Sequence, residues 1–230
     1  MSKIASERLL ERAKRVNPSS LGISAADIAR IPLSDEMVSE ITECLSKLDV
    51  VSELKWGLSF TLGVLDVNPP QDFLKWLLPK VPIWLKHQDW DVRERALETF
   101  VRLRNNYKNY RESMVEVLQD PEAVVRWRAL KEYRTFVSQE DISVLLHFQN
   151  DKYMSETEMG SPLVYAIRND ALAAIETLCG KPFRKSEKVG PGEAGRMVYW
   201  WDWQPFLDWW GKNQSKVSVT RGAFLTELKH

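Results

Sequence analysis

The chain contains one six-residue motif three times, as Val92-Arg93-Glu94-Arg95-Ala96-Leu97, Val125-Arg126-Trp127-Arg128-Ala129-Leu130 and Ile167-Arg168-Asn169-Asp170-Ala171-Leu172. Apolar side chains follow each copy eight and eleven positions after its leading Val or Ile. A repeat of this kind is typical of a solenoid, whose stacked hairpins bury their apolar faces against their neighbours. The motif therefore predicts an all-α fold, an α-solenoid of antiparallel helical hairpins.

The composition supports one sizeable folded array. The chain has 230 residues, of which 44% are hydrophobic, and its 32 Lys and Arg balance its 32 Asp and Glu. Because there is no basic excess, binding to nucleic acid is disfavoured. No apolar leader follows the first residues, and no run approaches the roughly 18 uncharged residues of a membrane span. We therefore expect a cytoplasmic protein without a membrane segment.

Apolar residues recur at helical spacing along most of the chain, without sustained period-two alternation. This pattern predicts helices near residues 3–16, 34–48, 51–66, 70–86, 90–104, 108–119, 121–137, 139–149, 162–179 and 203–213. Helix starts are predicted where Asp120 and Ser161 precede prolines, and a capping box is predicted at Ser138 and Asp141. A degenerate earlier copy of the motif is predicted at residues 54–58.

Three regions follow from this pattern. Residues 1–50 are predicted to form an amino-terminal helical cap, residues 51–180 the repeats, and residues 181–230 a loop with a Trp-rich carboxyl-terminal cap and tail. A helix stop is predicted at Gly180, because glycine accepts the left-handed conformation that ends many helices. The ten tryptophans are interpreted either as core and end-cap packing or as aromatic anchors at a binding face.

The second and third copies of the motif stand further apart than the first two, and the additional residues fall at 151–161. Insertions in a solenoid gather on one edge of the stack and often belong to its binding side. A neutral surface loop is the other interpretation, and the sequence leaves both open.

The motif resembles the HEAT-repeat family, in its bacterial type, over roughly residues 50–213. In that family an Asp in the turn and an Arg early in the second helix form a ladder between successive repeats. Asp120 and Arg126 match this pattern, and Arg93 and Arg168 match the Arg. His87 and Pro162 stand where the corresponding Asp would fall. Residues 180–183 and the Trp209-Trp210 pair resemble the closing segment of such proteins.

The sequence offers little for catalysis. His87 and His147 stand far apart, and there is no Cys-x-x-Cys, His-x-x-x-His or Gly-rich phosphate loop. We therefore expect no enzyme activity, no cofactor and no metal. Cys44 and Cys179 lie in separate helical patterns, which suits reduced core thiols better than a disulfide.

Positions three and four of the motif vary between copies, whereas the core positions do not. In a HEAT-like stack the second helices line the concave surface. Arg and Trp are residue types typical of hot spots at protein interfaces. The predicted partner-binding residues are Trp127, Arg128, Arg95, Lys131, Arg134 and Asp170. The leading hypothesis is a non-enzymatic module that holds a protein partner in its groove, with an immunity-type inhibitor of a toxin as one version.

Two other classes of protein that use a HEAT-like scaffold are alternatives, an enzyme and a chromophore-handling helper. An alkylpurine DNA glycosylase would use Trp, Asp and Arg side chains to hold damaged DNA, for which Trp90, Asp91, Trp127 and Arg128 have suitable chemistry. The neutral net charge argues against it. A lyase-like helper that handles bilin chromophores shares the fold class, but no residue signature for it is present.

Overall fold

The computed structural model describes residues 35–47, 49–66, 69–156, 162–192 and 195–217. The predicted helix near residues 3–16 and the helix cap predicted at Ser161 lie outside these ranges. The described chain is mainly helical, as predicted. It also holds a small four-stranded sheet, which the sequence analysis did not predict. The chain divides into two compact units, residues 1–110 and 111–230.

The first unit is helical over its described residues. Its helices are α1 (Asp35–Ser46), α2 (Val51–Asp66), α3 (Gln71–Leu77), α4 (Val81–Trp84) and α5 (Trp90–Arg102), followed by a 3-10 turn at Arg104–Asn106. Helices α1 and α5 both pack against α2. Helix α2 contains residues 54–58, where a degenerate copy of the motif is predicted, and α5 contains the first full copy.

The single helix predicted over residues 70–86 is two short helices instead. Helix α3 ends before Pro79, and α4 has Pro82 at its second residue. Proline lacks a backbone N–H and clashes with the carbonyl four residues earlier, and it disfavours helical geometry in the residue before it. Two prolines three residues apart therefore interrupt the helix, although the apolar periodicity continues through them.

The second unit mixes helices with short strands. The helices are α6 (Tyr110–Val117), which starts at the last residue of the first unit, α7 (Ala123–Tyr133), α8 (Ile142–Leu146), α9 (Ala166–Cys179) and α10 (Gln204–Val217). Further 3-10 turns lie at Gln139–Asp141 and His147–Asn150, so the helix predicted over 139–149 is irregular. Helices α7 and α8 both pack against α9. None of the described helices has the length and apolarity needed to cross a bilayer.

The sheet consists of β1 (Met154–Glu156), β2 (Leu163–Tyr165), β3 (Glu187–Pro191) and β4 (Met197–Trp201), in the order β1-β2-β4-β3. Strand β2 is antiparallel to β1 and parallel to β4, and β3 is antiparallel to β4. The helix predicted to start at 162 therefore starts at Ala166, after β2. A strand of three residues is too short to show period two, and it exists because distant strands supply its hydrogen-bond partners.

The apolar positions of the motif form the core, as predicted. Positions one, five and six are buried in all three copies: Val92, Ala96 and Leu97; Val125, Ala129 and Leu130; Ile167, Ala171 and Leu172. The side chains eight residues after each leading Val or Ile, Phe100, Tyr133 and Ile175, are buried as well. The alanine at position five permits close approach of the neighbouring helix.

Two of the signals at helix ends are confirmed, whereas the start predicted at Asp120 is wrong, because α7 begins at Ala123 with Glu122 as its N-cap and Asp120 accepts from the backbone within the preceding turn. Gly180 has φ of 60° and ends α9, which is the left-handed stop expected there. Glu176 Oε1 then accepts hydrogen bonds from the backbone N–H groups of Phe183 and Arg184, each at 2.6 Å. This turn places the Phe183 ring against Phe206 of α10. The capping box predicted at Ser138 and Asp141 is also present.

Substitution of a motif leucine should distinguish the core face of α7 from its outer face. Leu130→Ala removes a fully buried side chain and should lower the free energy of unfolding by about 2 to 5 kcal/mol. Lys131→Ala, at the adjacent exposed position, should lower it by less than about 1 kcal/mol. Urea unfolding followed by circular dichroism measures both values. Equal losses would contradict this assignment of faces.

Both cysteines should resist thiol reagents in the folded protein. Cys44 and Cys179 are buried and unpaired, as predicted. Burial raises the pKa of Cys179 to about 12, and burial together with a hydrogen bond to Glu53 raises the pKa of Cys44 to about 12. Since only thiolates react readily, a chromogenic disulfide reagent near pH 8 should modify neither thiol. Both should react in denaturant, and rapid native modification of either would contradict their burial.

Candidate functional site

Four of the six predicted partner-binding residues meet on the second unit. Trp127 lies in the middle of α7, Lys131 lies near its end, and Arg134 follows it directly. Asp170 comes from α9. Trp127 Nε1 donates to Asp170 Oδ2 at 2.9 Å, and Arg134 Nη1 donates to Asp170 Oδ1 at 2.8 Å. The ammonium of Lys131 lies 3.6 Å from the centre of the Trp127 ring. We call these four residues the Trp127 cluster.

Helical geometry explains why these side chains converge. Trp127, Lys131 and Arg134 are spaced four and three residues apart, so they lie along one face of the α7 segment. Because α7 packs against α9, the fourth position of the third motif copy comes within reach of the third position of the second copy. The carboxylate of Asp170 then accepts from an indole and from a guanidinium, and the latter bond is charge-assisted.

A fifth residue, Tyr153, was not predicted. Its ring lies 5.6 Å from that of Trp127, tilted by 51°. Asp151 Oδ1 accepts from the backbone N–H of Tyr153 at 2.9 Å, and the carbonyl of Tyr153 accepts from Ala166 at 2.9 Å. The inserted segment therefore contacts the cluster through its first residues. Asp side chains commonly accept from a backbone N–H two residues further on, so Asp151 is the sequence signal for this turn, whereas the contact with Trp127 is tertiary.

Arg128 and Arg95, the remaining predicted residues, lie elsewhere. Arg128 is exposed on α7, next to Trp127 in sequence. Arg95 belongs to the first unit, where it donates to Asp91 Oδ1 at 2.9 Å and to Ser59 Oγ at 2.6 Å. Asp91 also forms an ion pair with Lys55. The Arg95 and Asp91 side chains thus bind each other.

The arginines at position two of the first two motif copies make equivalent bonds. Arg126 Nη1 donates to the carbonyls of Asp120 at 2.8 Å and Pro121 at 3.0 Å. Arg93 Nη1 donates to the carbonyls of His87 at 2.8 Å and Gln88 at 2.9 Å. Each guanidinium therefore folds back onto the turn that precedes its own helix. These bonds offset the unfavourable position of a cation in a first helical turn.

Arg126 also bonds a carboxylate further along the chain. Its Nη2 donates to Asp151 Oδ2 at 2.9 Å, and both side chains are largely buried. In the first unit, the ammonium of Lys55 in α2 likewise pairs with a carboxylate further along the chain, that of Asp89, the N-cap of α5. The carboxylate bonded by Arg126 thus comes from the turn that follows α7 and α8, at the start of the inserted segment.

The turns that precede the first two motif helices, α5 and α7, share one backbone contact. Asp120 Oδ1 accepts from Glu122 N at 2.8 Å, and His87 Nδ1 accepts from Asp89 N at 3.0 Å. His87 stands where the family pattern has an Asp, and its ring nitrogen supplies the same acceptor two residues before the bonded N–H. The side chain of Asp120 thus holds its own turn.

Arg168, in the third copy, has a different environment. Its guanidinium lies 5.7 Å from the centre of the Trp200 ring in β4. Burial lowers the pKa of Arg168, while the charge of Asp202 and the neighbouring Tyr165 oppose that shift. The turn that held Arg93 and Arg126 is absent here, because β2 precedes α9.

The tryptophans divide between core and surface. Three of the ten, Trp56, Trp84 and Trp203, are buried, and Trp90 is the most exposed at 44%. The rest are partly covered, including Trp209 and Trp210, which pack with Phe206 of α10. Packing therefore accounts for most of them, and Trp127 differs because its indole N–H is bound to a charged surface residue.

Two further observations bear on the class of site. Within the described ranges, no group of three His, Cys, Asp or Glu is arranged to hold a metal ion. Comparisons with protein-family models, with curated proteins and with solved structures found no match to this chain. The site is therefore defined by its own side chains, as a charged aromatic surface on α7 and α9.

The ion pair between Arg126 and Asp151 should contribute to stability. Asp151→Asn keeps an oxygen for the backbone N–H of Tyr153 but removes the charge, and should lower the free energy of unfolding by about 1 to 3 kcal/mol. A double-mutant cycle with Arg126→Gln should give a coupling of about 0.5 to 3 kcal/mol. Asp72→Asn is the matched control, since its pair with Lys75 is almost fully exposed, and it should cost less than about 0.5 kcal/mol. Additive effects of the first two changes would contradict a direct interaction.

Proposed function

We propose that this protein is a non-enzymatic interaction module that binds a partner protein through the Trp127 cluster and the adjacent Arg128. The observation that carries this proposal is the indole of Trp127, which is held at the surface by Asp170 and covered by the ammonium of Lys131. Trp and Arg are the residue types most enriched among interface hot spots. A surface that presents both on one helix, held by a carboxylate of the helix packed against it, suits recognition of a folded or extended partner.

Preorganisation supports the same proposal. The indole N–H is bonded to a carboxylate, and the ring also lies beside Tyr153. Ordering a free side chain at an interface costs roughly 0.5 to 1.5 kcal/mol, and part of that cost is already met when the side chain is held in the unbound protein. Holding the Trp127 side chain in place before binding therefore lowers the entropic cost of binding a partner.

The resemblance to HEAT repeats adds support of a second kind. The motif helices pack side by side within each unit, as α2 with α5 and α7 with α9, and the site lies on the latter pair. In the HEAT family the corresponding helices line the concave surface on which partners bind. An immunity-type inhibitor that captures a toxin is one form of this proposal.

Site-specific photo-crosslinking in the native cell tests the proposal directly. A benzophenone amino acid replacing Arg128 should yield a discrete adduct with one protein, which mass spectrometry identifies. The same amino acid at Lys212, exposed on α10, is the control and should not yield that adduct. A toxin in the adduct would establish the inhibitor form. No adduct at 128, or the same adducts from both positions, would contradict the proposed site.

The identified partner allows a quantitative test. Trp127→Ala combined with Arg128→Ala should weaken its binding by at least about tenfold, as expected for hot-spot residues. Lys212→Ala removes one positive charge from α10 and should leave binding unchanged. Circular dichroism and thermal unfolding check that the fold is retained. Equal affinity of the double variant and the parent protein would refute the role of this face.

A further inference from the structure

Strand β3 is an open edge of the four-stranded sheet, because the strand order is β1-β2-β4-β3. Four of its five residues are exposed, and only Gly190 is partly covered. Among the residues that the structure describes, none bonds to the backbone groups on the outer side of β3. An open edge presents N–H and C=O groups that a further strand can pair with.

The ladder with β4 determines which residues of β3 direct these groups outward. Ser186 O accepts from Asp202 N at 3.1 Å, and Gly192 N donates to Arg196 O at 2.7 Å. Antiparallel strands bond to each other through alternate residues, so the even-numbered residues of β3 face β4. The outward residues are therefore Glu187, Val189 and Pro191. A proline at an outward position removes no donor from the ladder with β4.

The side chain of Val189 adds apolar surface to this edge. It is 51% exposed. Val189 is opposite Tyr199 in the ladder, so it projects from the other face of the sheet than Val198, which is fully buried. A strand that paired with β3 and placed an apolar side chain opposite Val189 would cover this surface.

A second copy of β3 fits the edge in an antiparallel register centred on Val189. In that register the N–H and C=O of Val189 bond the C=O and N–H of Val189 in the second copy, and the N–H of Glu187 donates to the carbonyl of Pro191 in the second copy. Both outward N–H groups of each strand then have an acceptor. Lys188 lies opposite Gly190, which carries no charge. The carbonyl of Glu187, at the exposed end of the strand, is left to water.

Charge and strand length disfavour the neighbouring registers. Pairing Glu187 with Val189 would place Lys188 directly opposite Lys188 of the second copy, and like charges at directly opposite positions are destabilising. Pairing Val189 with Pro191 would leave the N–H of Glu187 beyond the end of the opposite strand. The edge therefore specifies one register for pairing with itself.

We propose that two copies of this protein associate through their β3 strands, paired antiparallel about Val189, so that the two four-stranded sheets form one continuous sheet. This surface differs from the Trp127 cluster on α7 and α9, so the dimer does not depend on the proposed function. Because only one short strand of each copy is covered, the association is reversible and depends on concentration.

Sedimentation velocity of the full chain tests the proposal. The mean mass should rise from that of the 26.7 kDa monomer toward twice that value as the concentration increases from about 1 µM to about 500 µM. Val189→Lys and Val189→Glu each place like charges opposite each other at the centre of the pairing. Each variant alone should therefore dimerise about fivefold more weakly than the parent protein. An equimolar mixture of the two should associate about threefold more tightly than either alone, since opposite charges then meet.

Met197→Lys is the matched control. Met197 is 53% exposed on the same face of the sheet as Val189, but it belongs to β4, one strand inside the edge. This variant should dimerise within about twofold of the parent protein, and circular dichroism checks that all variants keep the fold.

A parent protein that stays monomeric at every concentration would overturn the proposal, as would a dimer that both charged variants retain at full strength. A mixture that associates no better than either variant alone would overturn the pairing about Val189. An adduct from position 128 with another protein would uphold the proposed function in each of these cases.

Discussion

Close packing of the motif helices is the constraint on which the rest of the structure depends. Ala129 of α7 and Ala171 of α9 are fully buried. Both stand at position five of the motif, which is alanine in all three copies. A small side chain at that position lets two helices approach, and the flanking Val, Leu and Ile side chains then lose contact with water. The surface site follows from this packing, because it brings Trp127 within hydrogen-bonding distance of Asp170.

Polar groups at the turns complete what the apolar face begins. Arg93 and Arg126 fold back onto carbonyls of the preceding turn, and His87 and Asp120 each accept a backbone N–H in the turn itself. A cation in the first helical turn is thereby tolerated. These contacts set the direction in which each motif helix leaves its turn, and with it the direction of the surface residues at positions three and four.

The core was predictable and the sheet was not, for one physical reason. Burial of Val92, Ala129 or Ile175 follows from helical periodicity, which each segment carries within itself. Strands β2 and β4 are bonded to each other across more than thirty residues. Strand β2 has only three residues, and β4 is apolar or aromatic throughout, so neither shows alternation of polar and apolar residues. The interruption of the helix at Pro79 and Pro82 could have been predicted from the chemistry of proline. The apolar periodicity continues through both residues, however, and predicted one continuous helix.

The candidate site shows the same division. The residue types and their place on one helix face follow from the sequence, as does the reduced, buried state of Cys179 and the helix stop at Gly180. Their partners do not follow, since Asp170 stands 43 residues after Trp127 and Asp151 stands 25 after Arg126. Tertiary packing selects such partners, because hydrogen bonds and ion pairs need atoms within about 3 Å, and only the folded chain brings distant residues that close.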